Sequence, residues 1–207
     1  MTDSKFRVAI LISGRGSNMV RILESRAELN AEFVGVLSSR ADAPGVEKAS
    51  QQFGMPVASI EPGDFDSREA YDAALKEQLD EWGANFLVLA GFMRILTKGF
   101  VEQYAGRIVN IHPSLLPAFP GLNAQQQALM AGVRISGCTV HFVGTGAVDS
   151  GPIILQRAVD VKFEDTVDSL SARIRGEEHH AYPEALRQLF AGEIRLREGR
   201  VVKGEKQ

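Results

Sequence analysis

Short apolar runs alternate with helical patterns along the first half of the chain. Five runs have the length of strands and are mostly apolar, as expected for strands covered on both faces: residues 8–12, 33–37, 56–58, 86–90 and 107–111. Helical patterns lie between them, including one that Pro44 opens and one that starts at Asp66 or Ser67 and reaches about Trp82. This order predicts a mostly parallel sheet wrapped by helices, with right-handed crossovers.

The pattern changes after residue 111. Residues 112–121 contain three prolines and predict a loop, which a helix over about 123–131 follows. Two strands over 138–143 and 152–159 are joined by a glycine-rich segment. The residues after this second strand predict a helix over about 166–190, broken at Pro183, and a terminal hairpin over 194–202.

Composition and charge exclude several classes of protein. With 207 residues, 44% hydrophobic and 24% charged, the chain suits a single globular domain. The net charge of -3 and the scattered Lys and Arg argue against a nucleic-acid partner. The lone Cys138 cannot form an intramolecular disulfide, which favours a reducing compartment. Residues 1–13 lack the pattern of a signal peptide, and no apolar stretch approaches the roughly 20 residues that span a bilayer. We therefore expect a cytoplasmic protein without a membrane partner.

A glycine-rich loop follows the first predicted strand and precedes a helix. In Gly14-Arg15-Gly16-Ser17-Asn18 the glycines let backbone N–H groups approach an anion, and the helix N-terminus adds positive charge. A dinucleotide site is less well supported, because the third glycine and an acidic residue after the second strand are absent. A phosphate monoester fits better, although a tight turn without a ligand would give the same pattern.

The end of the fifth strand carries an amide and an imidazole. Asn110 and His112 share a face because strand side chains alternate, and together they suit acyl transfer. Asp149, in the glycine-rich segment, could pair with His112, or it could simply form a turn. A structural histidine is the alternative for His112, and we expect His141 to be structural. No metal-binding pattern is present.

Six segments in order resemble the phosphoribosylglycinamide formyltransferase family, over about residues 8–183. They are residues 11–18, 65–71, 89–96, 110–117, 140–143 and 149–152. The resemblance implies a Rossmann-like formyltransferase fold in one domain over 1–207, with helices on both faces of the sheet and a C-terminal antiparallel extension. It also implies a nucleotide-binding half over about 1–105 and a folate-binding, catalytic half over about 106–207.

The resemblance assigns residues to each function. The implied catalytic residues are Asn110, His112 and Asp149. The 5-phosphoribosylglycinamide substrate would be held at its phosphate by Gly14, Arg15, Gly16, Ser17 and Asn18, and at its ribose by Glu178. The implied folate-binding residues are Arg68, Phe92, Met93, Arg94, Ile95, Leu96, Asn110, Val143, Val148 and Asp149.

The implied reaction moves a formyl group from 10-formyltetrahydrofolate to the glycyl amine, without a metal, in a monomer or weak homodimer. Formyltetrahydrofolate deformylase is an alternative, although it normally carries an extra N-terminal domain and this chain starts at its first strand. Methionyl-tRNA formyltransferase normally has an added C-terminal domain. A non-catalytic phosphosugar-binding domain is a third alternative. Two positions depart from the family: Asn123 stands where a histidine is common, and residues 144–148 look longer and less acidic.

Overall fold

The structure is a computed structural model that describes residues 6–204. The leading residues 1–5, on which part of the signal-peptide argument rests, lie outside the described residues. The strands are β1 Phe6–Ile12, β2 Ala31–Ser38, β3 Val57–Ser59, β4 Phe86–Leu89, β5 Ile108–His112, β6 Ile135–Phe142, β7 Ile153–Asp160, β8 Ile194–Arg197 and β9 Arg200–Lys203. The α-helices are α1 Ser17–Glu24, α2 Pro44–Phe53, α3 Arg68–Glu81, α4 Lys98–Gln103, α5 Ala124–Met130 and α6 Val167–Phe190.

The described residues up to Val109 form one compact unit, and those from Asn110 onward form a second. In the first unit, β1 pairs in parallel with β2 and β4, and β2 pairs in parallel with β3. Residues 8–12 of β1 are completely buried. Full burial explains why this strand is apolar without alternation, since both of its faces lie in the core.

The strand order confirms the predicted fold class. Hydrogen-bonded neighbours follow the order β3-β2-β1-β4-β5-β6-β7, and β8 and β9 form a separate antiparallel pair. β6 and β7 are antiparallel to one another. The fold is therefore a mostly parallel α/β sheet with an antiparallel C-terminal extension.

The second unit is built on the β6–β7 pair and the long helix α6, which packs against both strands. The pairing shifts register between Val140 and His141, so the ladder contains an irregularity just before the connection to β7. The Thr166 side chain accepts a hydrogen bond from the Ser169 backbone N–H, and the Ser169 side chain accepts one from the Thr166 N–H. This capping box fixes the start of α6.

The predicted break at Pro183 is wrong, because α6 runs without interruption from Val167 to Phe190. A proline lacks the backbone N–H and removes one helical hydrogen bond. Ala181, Tyr182, Ala185 and Leu186 surround it in sequence and are completely buried. Tertiary packing on both sides of the proline thus offsets the lost hydrogen bond, which the local sequence pattern does not reveal.

Gly151 holds the entry to β7 close to the end of β6. A Cβ atom at this position would lie 1.8 Å from the carbonyl oxygen of Phe142, a backbone atom that cannot move aside easily. At Gly144, in the same connection, a Cβ atom would meet only the Cα of Gly151, at 3.9 Å. The two glycines therefore differ in how much space surrounds them.

We expect Gly151→Ala to lower the free energy of unfolding by about 1–3 kcal/mol, the usual range for an overpacked site. Gly144→Ala is the matched control and should stay within about 0.5 kcal/mol of the wild type. Urea unfolding of the three proteins measures the difference. Equal stabilities of the two variants would contradict the close approach of residues 142 and 151.

Candidate active site

A buried imidazole and a largely buried carboxylate lie in contact in the second unit. His112 Nδ1 is 3.2 Å from Asp149 Oδ2, with side-chain exposures of 6% and 10%. The other ring nitrogen, Nε2, is 2.9 Å from the carbonyl oxygen of Phe119. Both ring nitrogens thus face oxygen acceptors, and a doubly protonated ring satisfies both. Residues 37 positions apart in sequence form the pair that the sequence hypothesis required.

The loop between β6 and β7 gives Asp149 its orientation. Asp149 has a left-handed backbone conformation with φ of 56°, which aspartate tolerates better than most residues. Its Oδ2 atom also accepts a hydrogen bond of 2.8 Å from the backbone N–H of Gly121. One carboxylate oxygen therefore bridges the imidazole and the loop after β5. Such partners are needed, because a buried charge without them is costly.

Asn110 contacts a second imidazole that the sequence hypothesis treated as structural. The Asn110 amide nitrogen Nδ2 lies 3.3 Å from His141 Nε2, and His141 Nδ1 lies 2.9 Å from the carbonyl oxygen of Phe142. His141 Nδ1–H must donate to that carbonyl, so Nε2 of the neutral ring is free to accept from Asn110. This arrangement fixes which end of the Asn110 amide is the donor.

His141 is held in its neutral form. Burial lowers the pKa of His141 below its ordinary value of 6.5, and the neighbouring His112 lowers it further. The hydrogen bond to Phe142 and the charge of Asp149, 3.7 Å away at Oδ1, oppose this shift but are smaller causes. Sequence reasoning missed His141 because its role depends on its position beside Asn110, and nothing in the local sequence gives that position.

In the first unit, the glycine-rich loop forms the entry to α1. Gly16 is the N-cap of α1 with φ of 67°, and a Cβ atom there would lie 3.1 Å from Met19 Cε and 3.2 Å from Gly45 Cα. Only glycine suits both the conformation and the space. Lys48 Nζ donates to the carbonyl oxygen of Arg15 at 3.1 Å, which places a second cation beside the loop.

The other predicted loop residues differ in exposure. Arg15 is exposed, Asn18 is buried, and Gly14 and Ser17 are intermediate.

The predicted folate segment lies next to this loop within the first unit. Ser13 Oγ accepts a hydrogen bond of 2.8 Å from the Met93 N–H, and the Ser13 N–H donates to Gly91 O at 3.1 Å. Arg68 Nη2 donates to Ile95 O at 2.8 Å, so the guanidinium supports this segment through its backbone. The segment is therefore held at both ends.

Exposure divides the side chains of the segment into two groups. Met93 and Ile95 are 63% and 64% exposed and Arg94 is exposed, whereas Phe92 and Leu96 are buried. Asp72, a residue not predicted for the site, accepts a hydrogen bond of 2.7 Å from the Thr97 N–H. A buried carboxylate thus fixes the end of the segment.

The remaining predicted residues lie in the second unit. Val148 is 50% exposed in the β6–β7 loop, Val143 is intermediate, and Glu178 is buried on α6. Asn123 has φ of 58° at the N-cap of α5 and makes no side-chain cap. Asparagine is among the residues that accept this left-handed conformation most readily, which accounts for its presence there in physical terms.

Among residues 6–204, no group of three or more His, Cys, Asp or Glu side chains is placed to hold a metal ion. No helix within the same range has the length and apolarity needed to cross a bilayer.

Comparisons with known proteins point to one family. A formyl transferase family model matches residues 6–186. The Escherichia coli phosphoribosylglycinamide formyltransferase is 42% identical, over 92% of this chain and 90% of its own length. A crystal structure of glycinamide ribonucleotide transformylase 1 from Symbiobacterium toebii has a TM-score of 0.93 at 45% identity, covering 99% of this chain and 96% of the other.

A longer relative matches as well. The trifunctional purine biosynthetic protein adenosine-3 of Bos taurus is 47% identical over 95% of this chain. The match covers 20% of that protein, so the chain spans about a fifth of its length.

The neutral state of His141 predicts a pH dependence of stability. Because its pKa is below 6.5 in the folded protein, the unfolded chain binds the proton more tightly, and unfolding becomes easier as the pH falls below 6.5. A single group of this kind contributes at most about 1.4 kcal/mol per pH unit. We therefore expect wild type to lose more stability than His141→Gln between about pH 7.5 and 5.5, measured by urea unfolding. Identical losses in the two proteins would contradict a neutral His141.

Proposed function

The chain belongs to the formyl transferase family, and we propose that it transfers a formyl group from 10-formyltetrahydrofolate to the amine of 5-phosphoribosylglycinamide in purine biosynthesis. The observation that carries this proposal is the contact between His112 and Asp149 next to the Asn110 amide. The relatives of similar length named above support the choice of substrates.

In the proposed reaction the substrate amine attacks the formyl carbon that 10-formyltetrahydrofolate supplies. Asn110 donates a hydrogen bond to the formyl oxygen as negative charge develops there, using the N–H that does not face His141. His112 donates through Nε2, which exchanges the Phe119 carbonyl oxygen for the formyl oxygen, because Nδ1 is engaged by Asp149. Asp149 keeps the ring oriented through its contact with Nδ1. As the new C–N bond forms, a water takes the amine proton and delivers a proton to the folate nitrogen, whose bond to the formyl carbon breaks.

The residues of the first unit fit the two substrates in chemical type. Backbone N–H groups of the glycine loop and the nearby cations Arg15 and Lys48 suit a phosphate monoester. The exposed side chains of Met93 and Ile95 suit the flat, apolar faces of a pterin ring. Glu178, which belongs to the second unit, is proposed to accept hydrogen bonds from the ribose hydroxyls.

Two alternatives differ from this proposal in what happens to the formyl group. A deformylase would transfer it to water, and a non-catalytic phosphosugar-binding domain would bind the ribonucleotide without turnover. The glycine loop favours a phosphorylated acceptor over water. The cytoplasmic location and the monomeric or weakly dimeric state stay predictions.

We expect His112→Asn to lower kcat for formyl transfer by about a hundredfold or more, the usual effect of losing one donor to a developing oxyanion. His180→Asn is the matched control, since His180 is exposed on α6 and residues two apart on a helix do not share a face, so it points away from Glu178. Formyl release is measured with and without 5-phosphoribosylglycinamide. Release that does not need the ribonucleotide would favour hydrolysis, and wild-type turnover in His112→Asn would contradict the role of His112.

Gly16→Val should weaken ribonucleotide binding roughly tenfold or more, because hydrogen bonds to charged groups contribute about 1.5–3 kcal/mol. Gly54→Val is the matched control, since Gly54 has a similar φ of 64° after α2 but no atom within 4 Å of a Cβ. Calorimetric titration with the ribonucleotide and with its dephosphorylated form separates loss of phosphate contacts from a general loss of binding. Equal loss for both ligands, or in both variants, would count against the phosphate loop.

A further inference from the structure

A short turn after β5 contacts both members of the His112–Asp149 pair. In this turn, residues 119–122, the carbonyl oxygen of Phe119 lies 2.9 Å from His112 Nε2. The backbone N–H of Gly121, in the same turn, donates a hydrogen bond of 2.8 Å to Asp149 Oδ2. The position of the turn therefore controls the surroundings of the imidazole and of the carboxylate together.

The conformation of the turn is not one that its own residues favour. Phe119 has φ of 54°, and Asn123, directly after the turn, has φ of 58°. For an aromatic residue such a conformation is an outlier, and it costs about 1–3 kcal/mol unless the surroundings enforce it. Leu122 is 78% exposed, so apolar burial of this side chain does not hold the turn.

The side chain of Gln127, on α5, supplies the missing support. Its amide nitrogen Nε2 lies 2.9 Å from Leu122 O and 3.2 Å from Pro120 O. The two hydrogens of one amide group match these two carbonyl oxygens, which flank Gly121. Gln127 thus holds the backbone on both sides of the N–H that contacts Asp149.

We propose that Gln127 is a positioning residue for the formyl transfer reaction, acting through the 119–122 turn on His112 and Asp149. The inference rests on the proposed function and deepens it. Without the amide donors, the turn relaxes and the Gly121 N–H leaves Asp149, so the carboxylate that orients His112 loses one of its two partners at Oδ2. The pair then loses its fixed geometry, although no residue that touches the substrates has changed.

Gln127→Glu tests this inference, because it keeps the length of the side chain and replaces the donor NH₂ by an acceptor oxygen. We expect kcat to fall roughly ten- to hundredfold, as misplacement of catalytic groups by about 1 Å does, while the KM values change less than about threefold. Gln126→Glu adds the same charge at the neighbouring exposed position and should keep wild-type kcat. Gln127→Lys, which restores a donor, should recover part of the loss.

The ¹⁵N resonances of the His112 ring provide a readout that does not depend on turnover. They should shift in Gln127→Glu and stay at their wild-type positions in Gln126→Glu. Unshifted His112 resonances or a wild-type kcat in Gln127→Glu would overturn the inference, and so would equal effects at positions 126 and 127. Absence of formyl transfer in the wild type would instead reject the proposed function, and the resonances would still test the contact.

Discussion

The buried contact between His112 and Asp149 is the constraint on which the second unit depends. A carboxylate whose side chain is only 10% exposed needs hydrogen-bonding partners, because burial removes most of the water around it. His112 and the Gly121 N–H meet this need at one oxygen. Asp149 makes this contact from a left-handed backbone conformation, with φ of 56°.

Two imidazoles lie near the same carboxylate in different roles. His112 has an oxygen acceptor at each ring nitrogen, whereas His141 donates from Nδ1 and accepts at Nε2. Pairs of titratable groups with opposed environments are typical of sites for acid–base chemistry. In the proposed reaction one ring stabilises charge, and the other keeps the Asn110 amide correctly oriented.

Most of the strands and the glycine-rich loop could be predicted from the sequence. The apolar runs gave the strands, because full burial removes alternation, and the glycine spacing located the loop before α1. The trio of Asn110, His112 and Asp149 came from a resemblance, since residues alone could not bring positions 112 and 149 together. The course of α6 through Pro183 and the roles of His141 and Gln127 depend on tertiary neighbours. Local patterns contain no signal for them.

The positions of the protons on the two imidazoles can be measured by ¹⁵N-resolved NMR of the folded protein without ligands. We expect a proton on His112 Nδ1 that is hydrogen-bonded to Asp149, and an unprotonated Nε2 on His141 that accepts a hydrogen bond from Asn110. A His112 ring without a proton on Nδ1 would contradict the contact between His112 and Asp149. His112 resonances that do not shift in Asp149→Asn would contradict it as well.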